Sequence, residues 1–297
     1  MTLKEALAWL TSHHQLLAAL RGQGLVVKVG GSVQDDPATM KSIARDVACL
    51  VTLGARPVVV HGGGKAITAA MAKAGLEARF VEGQRYTDET TLAIVEKVLV
   101  NTVNRELVEF IEDEGAQAQG LHSMGQCVLQ AERTGTDATA GKPSEDLGLV
   151  GRVTRVNAPV ILGLCEAGVV PVIAPVAQNA VATPGVPKFN VNADLAAGTV
   201  AAALRAAAFV LISDTPGVRM GADAASVAAT LTAAQYEAAV RSGVIAGGMI
   251  PKLSACFEAL RGKVERVSIV DGRVPHALLA AVLSAEGEAI PGTRVKL

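Results

Sequence analysis

The 297-residue chain is poor in aromatics (3%, with one Trp, two Tyr and five Phe) and in charged residues (19%), and it has almost no charge imbalance, with 27 Lys+Arg against 28 Asp+Glu. Few rings leave little for stacking bases. A net charge of −1 gives no electrostatic footprint for nucleic acid or for an anionic membrane. Cys49, Cys127, Cys165 and Cys256 lie far apart, with no CxxC and no histidine at ligand spacing. They read as small buried residues rather than zinc ligands or disulfides, so no protein-held metal is expected and a reduced, cytoplasmic setting is. Mean hydropathy is positive at +0.37, yet no long apolar run accounts for it. The longest uncharged stretch, Ala167–Pro187, carries Pro171, Pro175, Pro184 and Pro187, which would break a membrane-spanning helix of roughly 20 residues. Lys4 and Glu5 precede only scattered leucines, unlike a signal peptide. The signatures GxxxxGK[ST], GxSxG and HExxH are absent, and no GxGxxG opens the first helix.

What is present is an alternation of strands and helices. Continuous apolar runs suited to buried parallel strands occur at Leu25–Val29, Pro57–Val60, Val169–Ile173, Phe209–Ile212 and Val267–Val270. Helical patterns lie between them, including a long one over Asp88–Glu112 with Leu92, Val95, Leu99, Val103 and Leu107 on one face. Arg79–Val81 and Gln126–Glu132 read as shorter strands. The class is α/β, an open αβα sandwich around a mostly parallel central sheet. At the start, Thr2 and Glu5 have capping-box spacing before a helix over 2–21. That helix either packs on its own domain or reaches to a neighbouring subunit. The expected organisation is residues 1–24 as this helix, 25–177 as one lobe and 178–297 as a second, with the Pro/Gly-rich stretch Val176–Pro187 as the boundary.

The chemical signals follow strands. Lys28-Val29-Gly30-Gly31-Ser32 and His61-Gly62-Gly63-Gly64-Lys65 are glycine turns at the carboxyl ends of neighbouring strands. There the backbone can approach an anion and aim N–H groups at it. Asn192 or Asp194 is placed to cap the alanine-rich helix that follows. Ile212-Ser213-Asp214-Thr215-Pro216-Gly217-Val218 suits a turn lining a nucleotide base. Gly247-Gly248-Met249-Ile250-Pro251-Lys252 puts a lysine in the first turn of a helix, against the macrodipole, which suggests an anion nearby. Arg85 either forks onto a carboxylate or makes a surface ion pair.

In order along the chain, Lys28-Val29-Gly30-Gly31, His61-Gly62-Gly63-Gly64, Arg85-Tyr86-Thr87, Asn190-Val191-Asn192-Ala193-Asp194 and Gly248-Met249-Ile250-Pro251-Lys252 resemble the amino-acid kinase family. The likeness spans essentially the whole chain, including Asp146–Gly151 and Pro171–Val176, and is strongest to the branch that phosphorylates N-acetyl-L-glutamate in arginine biosynthesis. It implies an N-terminal lobe for the amino-acid substrate and a C-terminal lobe for ATP. Lys28 and Lys252 would stabilise the transferring phosphoryl group and Asp194 would hold the lysines. Gly63, Gly64, Arg85 and Asn190 would bind N-acetylglutamate. Gly30 and Gly31 would donate to phosphates, and Ser213, Asp214, Thr215, Gly217, Val218 and Met249 would line the nucleotide site, with Mg²⁺ held mainly by phosphate oxygens. A γ-carboxylate of ordinary pKa, about 4.3, attacks without a general base, so His61 reads as structural.

The first helix and Asp271–His276 resemble features of arginine-inhibited, hexameric members. His276 and Glu286 would contact L-arginine, although the tail after Gly287 is longer than usual. A homo-oligomer, dimer or hexamer, is implied. Leu121–Cys127 departs from the Ser-Gly-Lys-Asp-Gly type of turn that many relatives carry there. The competing readings are a sister kinase acting on a carrier-linked or acetylated aminoadipate, a non-catalytic amino-acid or nucleotide sensor, and a structural assembly protein. Asn192-Ala193-Asp194 favours N-acetylglutamate over the first, and the retained Lys28, Asp194 and Lys252 argue against the other two.

Overall fold

The computed structural model describes residues 2–81, 83–134, 146–221, 223, 226–285 and 287–297; Glu286 therefore lies outside the described residues. The first half contains α1 (Leu3–Ala19), β1 (Gly24–Val29), α2 (Pro37–Thr52), β2 (Arg56–His61), α3 (Gly64–Lys73), β3 (Phe80–Val81), β4 (Gln84–Arg85), α4 (Glu89–Val98), α5 (Arg105–Asp113), β5 (Ala118–Leu121), β6 (Leu129–Arg133), β7 (Val150–Val156), α6 (Ala158–Glu166) and β8 (Val170–Ile173). The second contains β9 (Val176–Thr183), β10 (Val186–Val191), α7 (Ala193–Leu204), β11 (Ala208–Ser213), β12 (Thr230–Thr232), α8 (Ala233–Arg241), α9 (Met249–Arg261), β13 (Arg266–Asp271), α10 (Ala277–Leu283) and β14 (Gly292–Lys296).

An eight-stranded sheet in the order β12-β14-β13-β11-β1-β2-β8-β5 forms the centre. The six strands from β13 to β5 are parallel to one another, and β14 runs antiparallel to β13. The strands expected from the apolar runs are the inner ones. Within the expected runs they are apolar apart from Lys28 in β1 and Ser268 in β13, because both faces are covered. Val26 and Val58 pack into the core under α7 and α9, whereas Val27 and Val59 pack toward α2 and α10. Successive side chains alternate across a strand, so Lys28 shares the Val26 face and points toward α7 and α9. That alternation places the first functional side chain.

In the stretch expected as a boundary between lobes, Val176–Pro187, β9 and β10 form a hairpin that joins β6 and β7 in a small closed barrel. Gly185 takes the turn at φ +77°, and Pro187 sits where the ladder shifts register between Val186 and Lys188, a place that needs no N–H. The helix expected over Asp88–Glu112 is not uniform. Between α4 and α5 the chain makes a π turn, Leu99–Asn104, which faces Asn104 inward and leaves Val103 only partly covered.

At the N-terminus, Thr2 and Glu5 form the expected capping box. Helix α1 packs on no other described element beyond marginal contact, and Leu3 and Leu7 are exposed. No described helix is long and apolar enough to cross a membrane.

Candidate functional site

The carboxyl ends of β1 and β2 and the first turns of α7 and α9 converge on three charges. Lys28 Nζ lies 2.7 Å from Asp194 Oδ1, and Lys252 Nζ lies 3.1 Å from Asp194 Oδ2. Asn192, not Asp194, caps α7, its side chain accepting from the Asp194 and Leu195 N–H groups. The cap leaves the Asp194 carboxylate free to bridge the lysines. The position of Lys252 in the first turn of α9, unfavourable to the macrodipole, is offset by this anion. Burial pushes the Lys28 ammonium below its ordinary pKa, with Asp194 opposing and Lys252 adding to the shift. Burial acts on Asp194 the other way, but the two lysines outweigh it and hold its carboxyl low. Two ammonium groups and one carboxylate leave this centre net positive.

The Lys28 side chain folds back over Gly30. A Cβ on Gly30 would coincide with Lys28 Nζ, so only glycine lets the ammonium sit there. Gly31 follows at φ +78°, and a Cβ on it would stand 3.0 Å from the Asp214 carboxyl carbon. Ser32 donates to Asp214 Oδ2 from both its N–H, at 2.9 Å, and its hydroxyl, at 2.7 Å. Burial opposes ionisation of Asp214, but the Ser32 hydrogen bonds and nearby Lys252 bring its pKa down to about 2.

On one side of this centre is a cavity of about 210 Å³. Gly63, Gly64, Arg85 and Asn190 all line it, together with Lys28, Asp194, Phe80 and Gln84. Arg85 is 8% exposed, so it is no surface residue. Its guanidinium donates to Gly64 O (3.0 Å) and Thr68 Oγ1 (2.8 Å) and lies over the Phe80 ring, but it pairs with no carboxylate among the described residues. Burial lowers its pKa, and an unpaired buried guanidinium is costly unless an anion joins it. Asn190 Nδ2 donates to Thr87 Oγ1 at 3.1 Å, and Thr87 in turn donates to Arg85 O at 2.9 Å.

The glycine turn itself is braced from behind. His61 is fully buried, and burial takes its pKa down to about 4. The neutral ring donates from Nδ1 to Gly62 O (2.7 Å) and accepts at Nε2 from Asn104 Nδ2 (3.0 Å), a tautomer assigned from that network. Asn104 reaches His61 because of the π turn. The same turn sets Leu99 so close to Gly63 that a Cβ there would stand 2.5 Å from Leu99 Cδ2. With both nitrogens engaged, His61 is structural.

On the other side of the charged centre, Asp214, Thr215, Gly217 and Met249 line a second cavity of about 250 Å³, along with Arg219 and Arg273. Ser213 and Val218 are buried behind it. Val218 N–H donates to Thr293 Oγ1 at 2.8 Å, which fixes this loop to β14. Lys65, in the first turn of α3, makes an exposed ion pair with Asp35. Among the described residues, no group of three or more His, Cys, Asp or Glu could hold a metal ion.

The amino acid kinase family model matches residues 23–271. The chain belongs to the amino acid kinase family. Among individual proteins, it is 42% identical to the acetylglutamate kinase of Wolinella succinogenes over 90% of this chain and 89% of that one. It is 38% identical to the acetylglutamate kinase of Geotalea uraniireducens over 96% and 94%. A similar solved structure is the N-acetylglutamate synthase of Neisseria gonorrhoeae complexed with coenzyme A and N-acetyl-glutamate, at TM-score 0.80 and 23% identity. The match takes in 98% of this chain but only 63% of that protein. The amino acid kinase fold is thus shared while the sequence has diverged.

The remaining candidates lie elsewhere. His276, at φ +60°, starts α10 and pairs with the buried Asp46 of α2 at 2.7 Å. It does not line the cavity of about 390 Å³ that α1, through Leu16, forms with β13, β14 and the end of α10. Glu286 lies outside the described residues. Sequence reasoning placed Ser32 and Thr87 within motifs without giving them a role, and it passed over Phe80. The position of Ser32 directly after Gly30-Gly31 was the available signal for it, and a lone aromatic beside the Arg85 segment was the one for Phe80.

Proposed function

We propose that this kinase transfers the γ-phosphoryl group of ATP to the γ-carboxylate of N-acetyl-L-glutamate, giving N-acetyl-L-glutamyl 5-phosphate. The observation that carries the reading is the Lys28–Asp194–Lys252 cluster between two cavities, one of them holding a buried arginine without a carboxylate partner among the described residues. The names of the similar acetylglutamate kinases support the same substrate.

Arg85 and Asn190 bind the acyl substrate's carboxylate end and the glycine turn at 62–64 receives its reacting end. The nucleotide lies against Asp214, Thr215, Gly217 and Met249. The nucleophile is already ionised near neutral pH, and no general base is required, in keeping with the engaged His61. The chemical difficulty is bringing one anion up to another. Lys28, Lys252 and the N–H groups at Gly30–Gly31 offset charge as it shifts through a loose, in-line transition state. Asp194 holds the lysines apart and oriented. Both site carboxylates are occupied, Asp194 by lysines and Asp214 by Ser32, so Mg²⁺ fits as a passenger on the phosphate oxygens rather than as a protein-held ion.

Regulation belongs to the same reading: L-arginine inhibits and the chain acts as a homo-oligomer. The exposed leucines of α1 and the cavity between α1 and the C-terminal strands support both. The deciding experiment is hydroxylamine trapping of the acyl phosphate, with MgATP and either N-acetylglutamate or N-acetyl-aminoadipate, each with and without arginine. Hydroxamate from N-acetylglutamate, suppressed by arginine, is expected. Hydroxamate from aminoadipate alone would reassign the substrate, and activity unchanged by millimolar arginine would remove the effector.

A further inference from the structure

The short 3₁₀ turn Gly31–Asp35 stands between the two cavities, and its side chains face three ways. Ser32 points to Asp214 on the nucleotide side. Val33 is buried in the core. Gln34 points to the other glycine turn. Its Oε1 lies 3.5 Å from the position a Cβ on Gly62 would take, a point that is also 3.7 Å from Gly30 Cα. The carboxamide therefore rests where the turns following β1 and β2 meet. Its Nε2 is enclosed, yet donates to no group among the described residues. Buried N–H donors are almost always paired, and one that is not calls for a missing partner. The charged neighbours differ: Lys28 and Asp194 meet as an ion pair, although Asp194 Oδ1 accepts no well-directed hydrogen bond, and His61 has Gly62 O and Asn104.

We infer that Gln34 is a further catalytic residue, whose Nε2 donates to an oxygen of the phosphoryl group as it passes between nucleotide and acyl carboxylate. The inference rests on the reaction proposed above. A neutral donor suits the position. It stabilises charge spread over the equatorial oxygens without adding a further cation that would hold the products. It also accounts for an unpaired donor in the unliganded fold, because its partner arrives only with the substrates.

The test compares wild type with Gln34→Leu, which keeps the bulk and removes the donor, and Gln34→Glu, which sets an anion against the phosphoryl group. Expected in Gln34→Leu is a fall in kcat of about tenfold, with both KM values within about twofold of wild type. Gln34→Glu should fall further. Binding of ADP with aluminium fluoride and N-acetylglutamate should weaken by a factor similar to the loss in kcat, while ADP alone binds as before. The thermal midpoint of Gln34→Leu should equal or exceed that of wild type, since an unpaired buried donor is gone. A kcat within threefold of wild type, or a lowered midpoint with both KM values raised, would overturn the inference and make Gln34 a spacer. Wild-type turnover beside an unaffected Gln34→Leu removes this inference alone. Absence of turnover in folded wild type removes the reaction and the inference together.

Discussion

The acyl side of the site and the nucleotide side are built to different standards of enclosure. On the acyl side Arg85 is buried beneath Phe80, and the glycine turn is braced by His61, Asn104 and Leu99. On the nucleotide side Gly247 and Gly248 are exposed, Met249 is half-buried, and Asp214 is tied across the site by Ser32. A small carboxylate offers few atoms for recognition, so its pocket must be rigid before it arrives. A nucleotide brings its own area and charge, and an open cleft suffices to receive and release it.

The strongest way to break this contrast is at the residue both sides share. Asp194→Asn should lower kcat by about 10³, because the two lysines lose the anion that holds them; urea titration should also show a loss of about 3 kcal/mol from two ammonium groups left facing each other. A loss in only one substrate's KM would show that Asp194 serves one side. Arg85→Leu comes next: KM for N-acetylglutamate should rise about 100-fold, in line with the loss of charge-assisted hydrogen bonds, while KM for ATP stays within twofold. Equal rises in both would erase the distinction.

The bracing of the acyl turn has a signature in acid. The pKa of His61 in the fold, about 4, lies below its ordinary 6.5, so proton binding favours the unfolded chain. Its contribution is whole above pH 6.5 and is lost as pH falls toward 4, about 3 kcal/mol in all. Denaturation midpoints measured from pH 7 to 4.5 should fall less steeply in His61→Asn than in wild type; parallel curves would mean that His61 does not titrate as a buried neutral ring. The smallest effect is expected from Ser32→Ala, which unties Asp214: KM for ATP should rise about fivefold with KM for N-acetylglutamate unchanged.

The inner strands were legible because burial on both faces leaves apolar runs such as Pro57–Val60, and the glycine turns were legible because Gly31 takes φ +78° and a Cβ on Gly30 or Gly63 would meet Lys28 or Leu99. The π turn was not. Leu92, Val95, Leu99, Val103 and Leu107 keep a helical spacing, and an apolar stripe does not register a single inserted residue; only the structure shows Asn104, a polar residue, turned inward in place of Val103. The hairpin β9–β10 was hidden by its prolines and glycine, which mark a turn and a register shift as readily as a lobe boundary. The Arg85 motif was visible but its burial was not, since that depends on the β3–β4 hairpin folding over α3. Ser32 and Asp214 stand 182 positions apart, and nothing local announces their bond.

The pairing of β1 with β11 has a consequence for how this enzyme can be taken apart. The strand carrying Lys28 lies between β2 and β11, so the ladder runs unbroken from the acyl-side elements to the nucleotide-side ones. Cutting the chain between β10 and β11 would strip one flank of β1 and lay bare a long apolar edge, the kind that invites strand addition. Neither piece would be a tame fragment. Mixed together, they should find each other along that edge, making this a natural split-protein pair whose reassembly rebuilds the lysine cluster.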